Sequence, residues 1–396
     1  MKKTFLPLII FIFGCSESHQ TSNTSINELA DIYVDRMIAT FPEYSYFVDI
    51  PLKNHSGHSM PDANTIAYWE AFEDSLYTAI KEIDESIITS KSERITYWIL
   101  KEDLESSIQM RVCKRNLWSI NHMWGFHHSW ARIADFQPVG DDSSREQAFA
   151  RWNKFPTYVD MEIANLESGI EQGYSMPKEI VELVIEQIET LVGYALEDSP
   201  YMSPTKRDST EDFIQSWGIL VEDTINPALQ KYANYLRNNY LDKARTDVSI
   251  LSLPNGSECY KAYIRSMTTT NKTGEEIFDQ GLKIVNSNIR TIEELGMELY
   301  QSNNFGEIIA SINADSTLYF NTSEEILSFN QAIMDTAKIK CKDWFDLMPS
   351  EEATLKPYLA HESGVGGYER ATENKPAYFR LSLKNPERQT FQDTGG

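Results

Sequence analysis

A histidine followed directly by a glutamate occurs at His361-Glu362, in the stretch PYLAHESGVGGYE. This pair opens the zinc-binding pattern H-E-x-x-H, in which two histidines one helical turn apart bind the metal and the glutamate activates a water molecule. Val365 occupies the position of the second histidine, and residues 362–396 contain no histidine. Glycines between residues 364 and 367 also disfavour a helix. We therefore interpret the pair as part of a loop and not as half of a zinc site.

A denser group of histidines lies in SINHMWGFHHSW, which contains His122, His127 and His128 among three aromatic residues and directly follows Trp118. Their spacings of five, six and one do not place two imidazole rings on one helical face, as a tetrahedral zinc site on a helix requires. We interpret the stretch as an aromatic-rich segment that is packed or lines a cleft. A new metal site built from these histidines is a weaker alternative.

Other catalytic motifs are missing from the sequence. It contains no G-x-S-x-G nucleophile elbow, no P-loop and no dinucleotide-binding glycine motif. Acidic pairs such as Asp141-Asp142 and Glu351-Glu352 are expected by chance among 59 acidic residues, and we interpret them as solvated. The net charge of −23 argues against a nucleic-acid partner, because phosphate binding needs clustered Lys and Arg.

The pattern of apolar residues predicts a mainly α fold with a small β element. Apolar residues recur every three or four positions along 159–170 and 180–195, and Thr273 with Glu276 forms a capping box that opens another helix. Further predicted helices cover residues 26–40, 64–110, 210–240 and 323–338. Two alternating stretches, DVSILSLP at 247–254 and AYFRLSL at 377–383, predict strands. Asn255-Gly256 and Thr268 to Thr270 are interpreted as turn and cap residues, with cleft-lining polar groups as the alternative.

The first residues have the features of a secretion signal. A basic start and an apolar run from Phe5 to Phe13, too short to span a bilayer, precede Gly14 and Cys15. The stretch 12–15 resembles a bacterial lipobox, which predicts a lipoprotein signal peptide at 1–14 and membrane lipid attached to Cys15. Residues 15–25 then form a flexible tether, and 26–396 form the helical domain. Ser16 favours the outer membrane as the destination within the bacterial cell envelope.

Three cysteines remain in the helical domain: Cys113, Cys259 and Cys341. Their wide spacing gives neither a disulfide framework nor a C-x-x-C metal site. We interpret them as buried and inert. One disulfide plus a free thiol is the alternative, and the sequence does not choose the pair.

Several segments together resemble a bacterial family, domain of unknown function 885, whose members are mostly secreted or lipid-anchored and resemble zinc peptidases. The resemblance rests on the following segments: NHMWGFH at 121–127, QPVG at 137–140, ARWNKFPTYVDMEIANLESGIEQGYSMP at 150–177, VIEQIETL at 184–191, INPALQKYANYL at 225–236, LPNGSECYKAYIRSMTTTNKTGEEIFDQG at 253–281 and GGYERATENKPAYFRLSL at 366–383. It implies a large helical peptidase-like architecture with a small β element.

The resemblance also implies where a metal would bind in complete members. The family's proposed motif, His-Glu-x-x-Pro-Gly-His-His, normally follows the strand that matches 377–383, and here that place holds KNPERQTFQDTGG. No catalytic or metal-binding residue can therefore be carried over, and we expect no zinc cofactor in this chain. By analogy with helical zinc peptidases, the strand containing Tyr378, Phe379, Arg380 and Leu381 is a candidate substrate-cleft edge that pairs with an extended peptide.

Two functional hypotheses follow. The first is a lipid-anchored, C-terminally incomplete relative of zinc metallopeptidases that lacks catalytic activity and exposes an apolar face where further helices would pack. The alternative is a non-catalytic lipoprotein that binds peptides in the remaining cleft. Whether the chain is an enzyme stays open at this point.

Overall fold

The protein is described from a computed structural model, which describes residues 25–48, 50–358, 366–371 and 376–390. The predicted signal peptide, Cys15 and the His361-Glu362 pair lie outside these residues. The first α-helices are α1 (Ile26–Thr40), α2 (Ser45–Val48), α3 (Ala63–Lys81), α4 (Lys91–Met110), α5 (Phe126–Phe136), α6 (Asp142–Trp152), α7 (Phe155–Glu171) and α8 (Lys178–Val192). They are followed by α9 (Glu211–Leu220), α10 (Asn226–Tyr235), α11 (Gly256–Thr268), α12 (Gly274–Tyr300), α13 (Phe305–Ala314) and α14 (Ser323–Cys341). The mainly α prediction is confirmed.

The main core is formed where α5 to α10 pack together, a group that we call the helical body. Trp130, Trp152 and Trp217 are fully buried in it. The predicted stripe of α7 contributes Val159 and Leu166, both without exposed surface. The glycine of α7 that faces Leu117 allows a close approach of the two backbones, because a Cβ there would overlap the Leu117 carbonyl oxygen. Burial of these stripes holds the body together.

Three predictions about local structure, a capping box, a helix and a strand, have different outcomes. The capping box at Thr273 is present and opens α12, as predicted. The predicted helix over 64–110 is instead two helices. The Asp84 side chain accepts a hydrogen bond from the Ser86 N–H between them, and the Ser90 side chain caps α4 by accepting from the Glu93 N–H. The predicted strand at 247–254 is wrong. That stretch contains a 3₁₀ turn, Ile250–Ser252, and the Arg245 guanidinium donates to the Asp247 and Ser249 carbonyls, so side chains satisfy backbone groups that a strand would pair.

A disulfide joins Cys113, just after α4, to Cys259 in α11, with Cα atoms 4.8 Å apart. The interpretation of these two cysteines as unpaired is therefore wrong, and the alternative of one bridge holds. Cys341, at the end of α14, is free and half-buried. The sequence could not choose this pair because 146 positions separate the two cysteines, which only the packing of α11 against α4 brings together.

The β element is a three-stranded sheet formed by β1 (Thr354–Pro357), β2 (Gly366–Glu369) and β3 (Tyr378–Leu381), in the order β1-β3-β2. β1 runs parallel to β3, and β2 is antiparallel to it. Leu381 is buried against Phe320 and Ile326, which attaches the sheet to the helices. The strand predicted at 377–383 is thus present. Within the residues that the structure describes, no helix is long and apolar enough to cross a membrane.

Candidate functional site

A cleft of about 970 Å³ separates the helical body from the sheet. One wall is made by α5, by the turn before it and by the 3₁₀ segment Pro200–Lys206. The other wall is made by β1, β2 and one residue of β3. A volume of this size is within the range of ligand-binding pockets.

All four residues of β2 line the cleft, from Gly366 to Glu369. β2 pairs with β3 on one side only, and no strand among the described residues pairs with its other side. Gly366 and Gly367 place no side chain in the cleft, whereas Tyr368 is 60% exposed. The cleft therefore runs along an open sheet edge.

The predicted substrate edge needs a correction here. Tyr378, Phe379, Arg380 and Leu381 form the central strand, so β3 already pairs on both sides and cannot receive another strand. The misassignment arose because the alternation that marks a strand does not say whether the strand is central or at an edge. The open edge belongs to β2, whose four residues include two glycines that weaken any strand signal.

Of these four residues, Arg380 lines the cleft. It is 6% exposed, forms an ion pair with Glu369 at 3.1 Å, and its guanidinium carbon lies 4.6 Å from the centre of the Tyr358 ring. Arg380 therefore ties β2 to β3. Leu381 is in the core beneath the sheet, and contact of any of the four with a ligand stays a prediction.

The aromatic segment at 119–130 supplies the opposite wall. The Asn121 side-chain oxygen accepts hydrogen bonds from the backbone N–H groups of Met123 and Trp124, both at 2.8 Å. This turn presents the Trp124 side chain, 69% exposed, to the cleft. The interpretation of this segment as packed or cleft-lining is confirmed, since both occur within it.

The histidines of this segment have separate environments. His127 is buried and its Nε2 lies 3.0 Å from the Gln187 side-chain oxygen, whereas His128 lines the cleft. Gln187 in turn donates to the His122 carbonyl at 2.9 Å. These hydrogen bonds attach the segment to α8 and leave His127 in a structural role.

The cleft also contains charged residues on both walls. Arg132 and Lys206 lie on the helical wall with Asp135 and Asp198, and Lys356 lies on β1. The Ser203 hydroxyl donates to Asp135, which links the 3₁₀ segment to α5. None of these residues was selected from the sequence, because isolated charges far apart in the chain carry no spacing signal.

We tested whether the residues present fit the zinc ion that the resemblance implies. No group of three or more His, Cys, Asp or Glu side chains within 25–48, 50–358, 366–371 and 376–390 is placed to hold a metal. In the cleft, Glu369 is paired with Arg380 and Asp135 accepts from Ser203. The described residues therefore do not fit zinc, and no reaction step is assigned to a metal.

A second, smaller cavity of about 320 Å³ lies between α3, α4 and α7. Of its two acidic residues, Glu70 and Glu73, Glu73 is 2.9 Å from Arg111 and accepts from Ser107 at 2.6 Å, so the charge of Glu73 is satisfied internally. Nearby, burial raises the pKa of Glu162, which accepts from Ser119 and Tyr158. These groups stabilise the packing of α3, α4 and α7, and we place the candidate site in the larger cleft.

Fold and site together define a mainly helical protein with a cleft along the open edge of a small mixed sheet. The chain belongs to the bacterial family described as a protein of unknown function, DUF885, whose sequence model matches residues 50–394. The family resemblance read from the sequence segments is confirmed. A search of curated proteins found no match.

Two solved structures have a similar fold. One is a "putative lipoprotein" from Colwellia psychrerythraea, with a TM-score of 0.77, 16% identity, and coverage of 92% of this chain and 68% of that one. The other, described in the same words and as of unknown function, is from Shewanella oneidensis, with a TM-score of 0.62, 14% identity, and coverage of 91% and 65%. At these identities the likeness shows the fold alone. The chain spans about two thirds of the length of each.

Proposed function

We propose that this protein is a lipid-anchored protein of the bacterial cell envelope that binds peptides in an extended conformation along β2. The observation that carries the proposal is that the four residues of an open edge strand line a cleft of about 970 Å³. An open edge offers unpaired N–H and C=O groups, to which an extended peptide adds as a further strand.

The cleft supports this mode of binding from both walls. On the sheet wall, Gly366 and Gly367 allow a peptide backbone to come close. Across the cleft, Met123 and Trp124 expose more than half of their surface, and Tyr368 adds an aromatic ring beside the edge. Exposed aromatic and methionine side chains are typical of surfaces that bind a partner.

The family resemblance implies a peptidase-like architecture, and the proposal assigns no hydrolytic reaction to the described residues. Hydrolysis by zinc needs metal ligands and a water-activating carboxylate, and the described residues bring together no such set. In this proposal the described residues bind the peptide. The first hypothesis from the sequence, an incomplete relative of zinc metallopeptidases without catalytic activity, makes no statement about binding. The proposal develops the alternative, a non-catalytic lipoprotein that binds peptides.

Backbone-methylated peptides test the binding mode. A strand that adds to β2 directs alternate N–H groups toward the edge, so N-methylation of a bound peptide at one set of alternate residues is expected to weaken binding at least tenfold. Methylation at the intervening residues is expected to change it little. Fluorescence anisotropy with labelled peptides measures this difference, and equal effects at both sets would rule out strand addition.

A matched pair of tryptophan variants tests the location. Trp124→Ala removes an aromatic wall of the cleft and is expected to weaken peptide binding by about tenfold, in line with aromatic residues at interface centres. Trp344→Ala removes a tryptophan that is 82% exposed and does not line the cleft, so its affinity should equal that of the unmodified protein. Equal losses in both variants would place the binding site elsewhere.

Fatty-acid labelling tests the anchor. Cells that express the protein should incorporate labelled palmitate into it, and the protein should fractionate with membranes, with Cys15→Ser abolishing both. Outer-membrane sorting is tested by separating the two membranes on a sucrose gradient. Labelling that persists in Cys15→Ser would reject the assignment of the lipid to Cys15.

A further inference from the structure

Two basic side chains on the helical wall of the cleft, Arg132 and Lys206, form no ion pair with a carboxylate among the described residues, and they indicate what kind of peptide the cleft takes. We propose that Arg132 and Lys206 bind a carboxylate group of the peptide ligand, so that the cleft selects acidic peptides or free peptide C-termini. This inference rests on the peptide-binding function proposed above and specifies the ligand class.

Arg132 is half-buried on α5, with its guanidinium carbon 5.2 Å from the centre of the Phe47 ring. Within the described residues, no carboxylate lies within ion-pair distance of it. A guanidinium stacked on an aromatic face keeps its edge N–H groups available, and those groups match the two oxygens of a carboxylate. Arg132 therefore has the geometry of a carboxylate-binding residue and no carboxylate from the described part of the chain.

Lys206 is exposed at the end of the 3₁₀ segment, and no described carboxylate pairs with it either. Its neighbour Arg207 holds this segment against α5 by donating to the Ala134 carbonyl at 2.7 Å and to the Gln137 carbonyl at 2.9 Å. Because Arg207 attaches the segment to the helix that carries Arg132, the positions of the two cations are set by one connected wall.

The acidic residues of the cleft do not cancel this charge. Glu369 forms an ion pair with Arg380 at 3.1 Å. Asp135 and Asp198 are the other acidic residues that line the cleft, both on the helical wall. Opposite them, Lys356 lies on the sheet wall, with its ammonium nitrogen 4.7 Å from the centre of the Tyr378 ring.

Apart from the Glu369–Arg380 pair, the cleft is therefore lined by three cations and two carboxylates, whereas the whole chain has 36 basic and 59 acidic residues. The surface outside the cleft repels an acidic ligand, so attraction inside the cleft would direct such a ligand to this site.

Matched peptides provide the test. One peptide of fixed apolar sequence is prepared in four forms: with a central Glu or Gln, and with a C-terminal acid or amide. Affinities for the purified full chain are measured by fluorescence anisotropy at low and moderate salt. We expect at least one acid form to bind about tenfold more tightly than its neutral counterpart at low salt, with the difference shrinking as salt rises. The pair that shows the difference identifies the source of the carboxylate.

Variants assign the effect to residues. Arg132→Gln and Lys206→Gln should each remove most of the preference for the acid form over the neutral form, and Arg132→Lys should restore part of it. Lys283→Gln, on an exposed position of α12, is the matched control and should keep the full preference. Thermal melts of each variant establish that it is folded.

The outcomes separate the two proposals. Equal affinity for acid and neutral peptides, or a preference that survives both Gln variants, overturns this inference and leaves peptide binding in place. Failure of all four peptides to bind overturns both the inference and the peptide-binding function on which it rests.

Discussion

Helices α7 and α12 carry the same kind of apolar stripe, but their surroundings differ. In α7, Val159 and Leu166 have no exposed surface. In α12, Leu282 is 44% exposed and Leu295 is 49% exposed. Of the 27 residues of this helix, one is buried, Gly296. The difference shows that periodicity specifies a helix and the face that is apolar, whereas the partner that covers this face comes from tertiary structure.

Large apolar side chains are also exposed at other positions of α12 and after α14. Phe278 and Leu299 on α12 and Trp344 after α14 each expose more than half of their surface. Apolar surface of this extent marks a face on which something else packs. About one third of the length of each similar structure lies outside the part that this chain matches.

The largest expected effect comes from a matched pair of leucines. Leu166→Ala in α7 leaves a cavity in the helical body and should lower the free energy of unfolding by about 2–5 kcal/mol. Leu282→Ala in α12 removes a half-exposed side chain and should change it by less than about 1 kcal/mol. Urea unfolding measures both. Equal losses would mean that α12 is covered in solution.

The second prediction concerns the disulfide that joins the segment just after α4 to α11, the helix before α12. Replacing Cys113 and Cys259 by serine removes a cross-link over a sequence separation of 146 and should lower the free energy of unfolding by about 2–5 kcal/mol. Cys341→Ser, at a free cysteine, is the control and should have little effect. Denaturant unfolding of the double variant and the control checks this, and a double variant as stable as the control would contradict it.

Two helical glycines offer a comparison of opposite sign. At Gly169 in α7 a Cβ would overlap the Leu117 carbonyl, so Gly169→Ala should destabilise the protein by about 1–3 kcal/mol. At Gly281 in α12 a Cβ would meet nothing within 4 Å, so Gly281→Ala should stabilise it by about 0.5–1 kcal/mol. Melting temperatures should shift in opposite directions. Destabilisation by both substitutions would indicate a close neighbour at α12.

The last prediction concerns how the free energy of unfolding depends on pH through His58, which packs against the helical body. Burial lowers the pKa of His58, whose ring stacks on Trp130 with centroids 3.8 Å apart, although nearby Glu43 acts in the opposite direction. As pH falls below about 6.5, the unfolded chain takes up a proton that the folded protein resists. Stability should therefore decrease with falling pH, by at most about 1.4 kcal/mol per unit.

Unfolding curves between pH 7.5 and pH 5 measure this slope. His58→Gln should flatten it, because the variant has no imidazole to titrate at this position. An unchanged slope in the variant would show that other groups cause the pH dependence.

The sequence predicted local features with a strong signal and missed those that depend on distant contacts. The α1, α7, α8 and α12 helices follow from apolar spacing and capping residues near each element. The strand at 378–381 follows from alternation, but its central position does not, because pairing on both sides involves β1 and β2, short segments with weak signals of their own. The error at 247–254 has a similar origin, since alternation there has no partner strand among the described residues.

The candidate site was predicted only in part. The aromatic segment at 119–130 was recognised as packed or cleft-lining, and Arg380 lies at the cleft. Arg132, Lys206 and the edge strand β2 were missed, because they come from three parts of the chain that meet only in the fold. A lone basic residue in a sequence looks the same whether it faces solvent or a ligand.

By itself, the sequence determined the helical class, the family resemblance and the capping residues, since each depends on neighbours within a few positions. The tertiary structure decided the pairing of Cys113 with Cys259, the edge position of β2 and the charges that face each other across the cleft. It also decided which apolar stripes are covered. These features arise from contacts between residues far apart in the chain, and packing, unlike local propensity, has no signature in a short stretch of sequence.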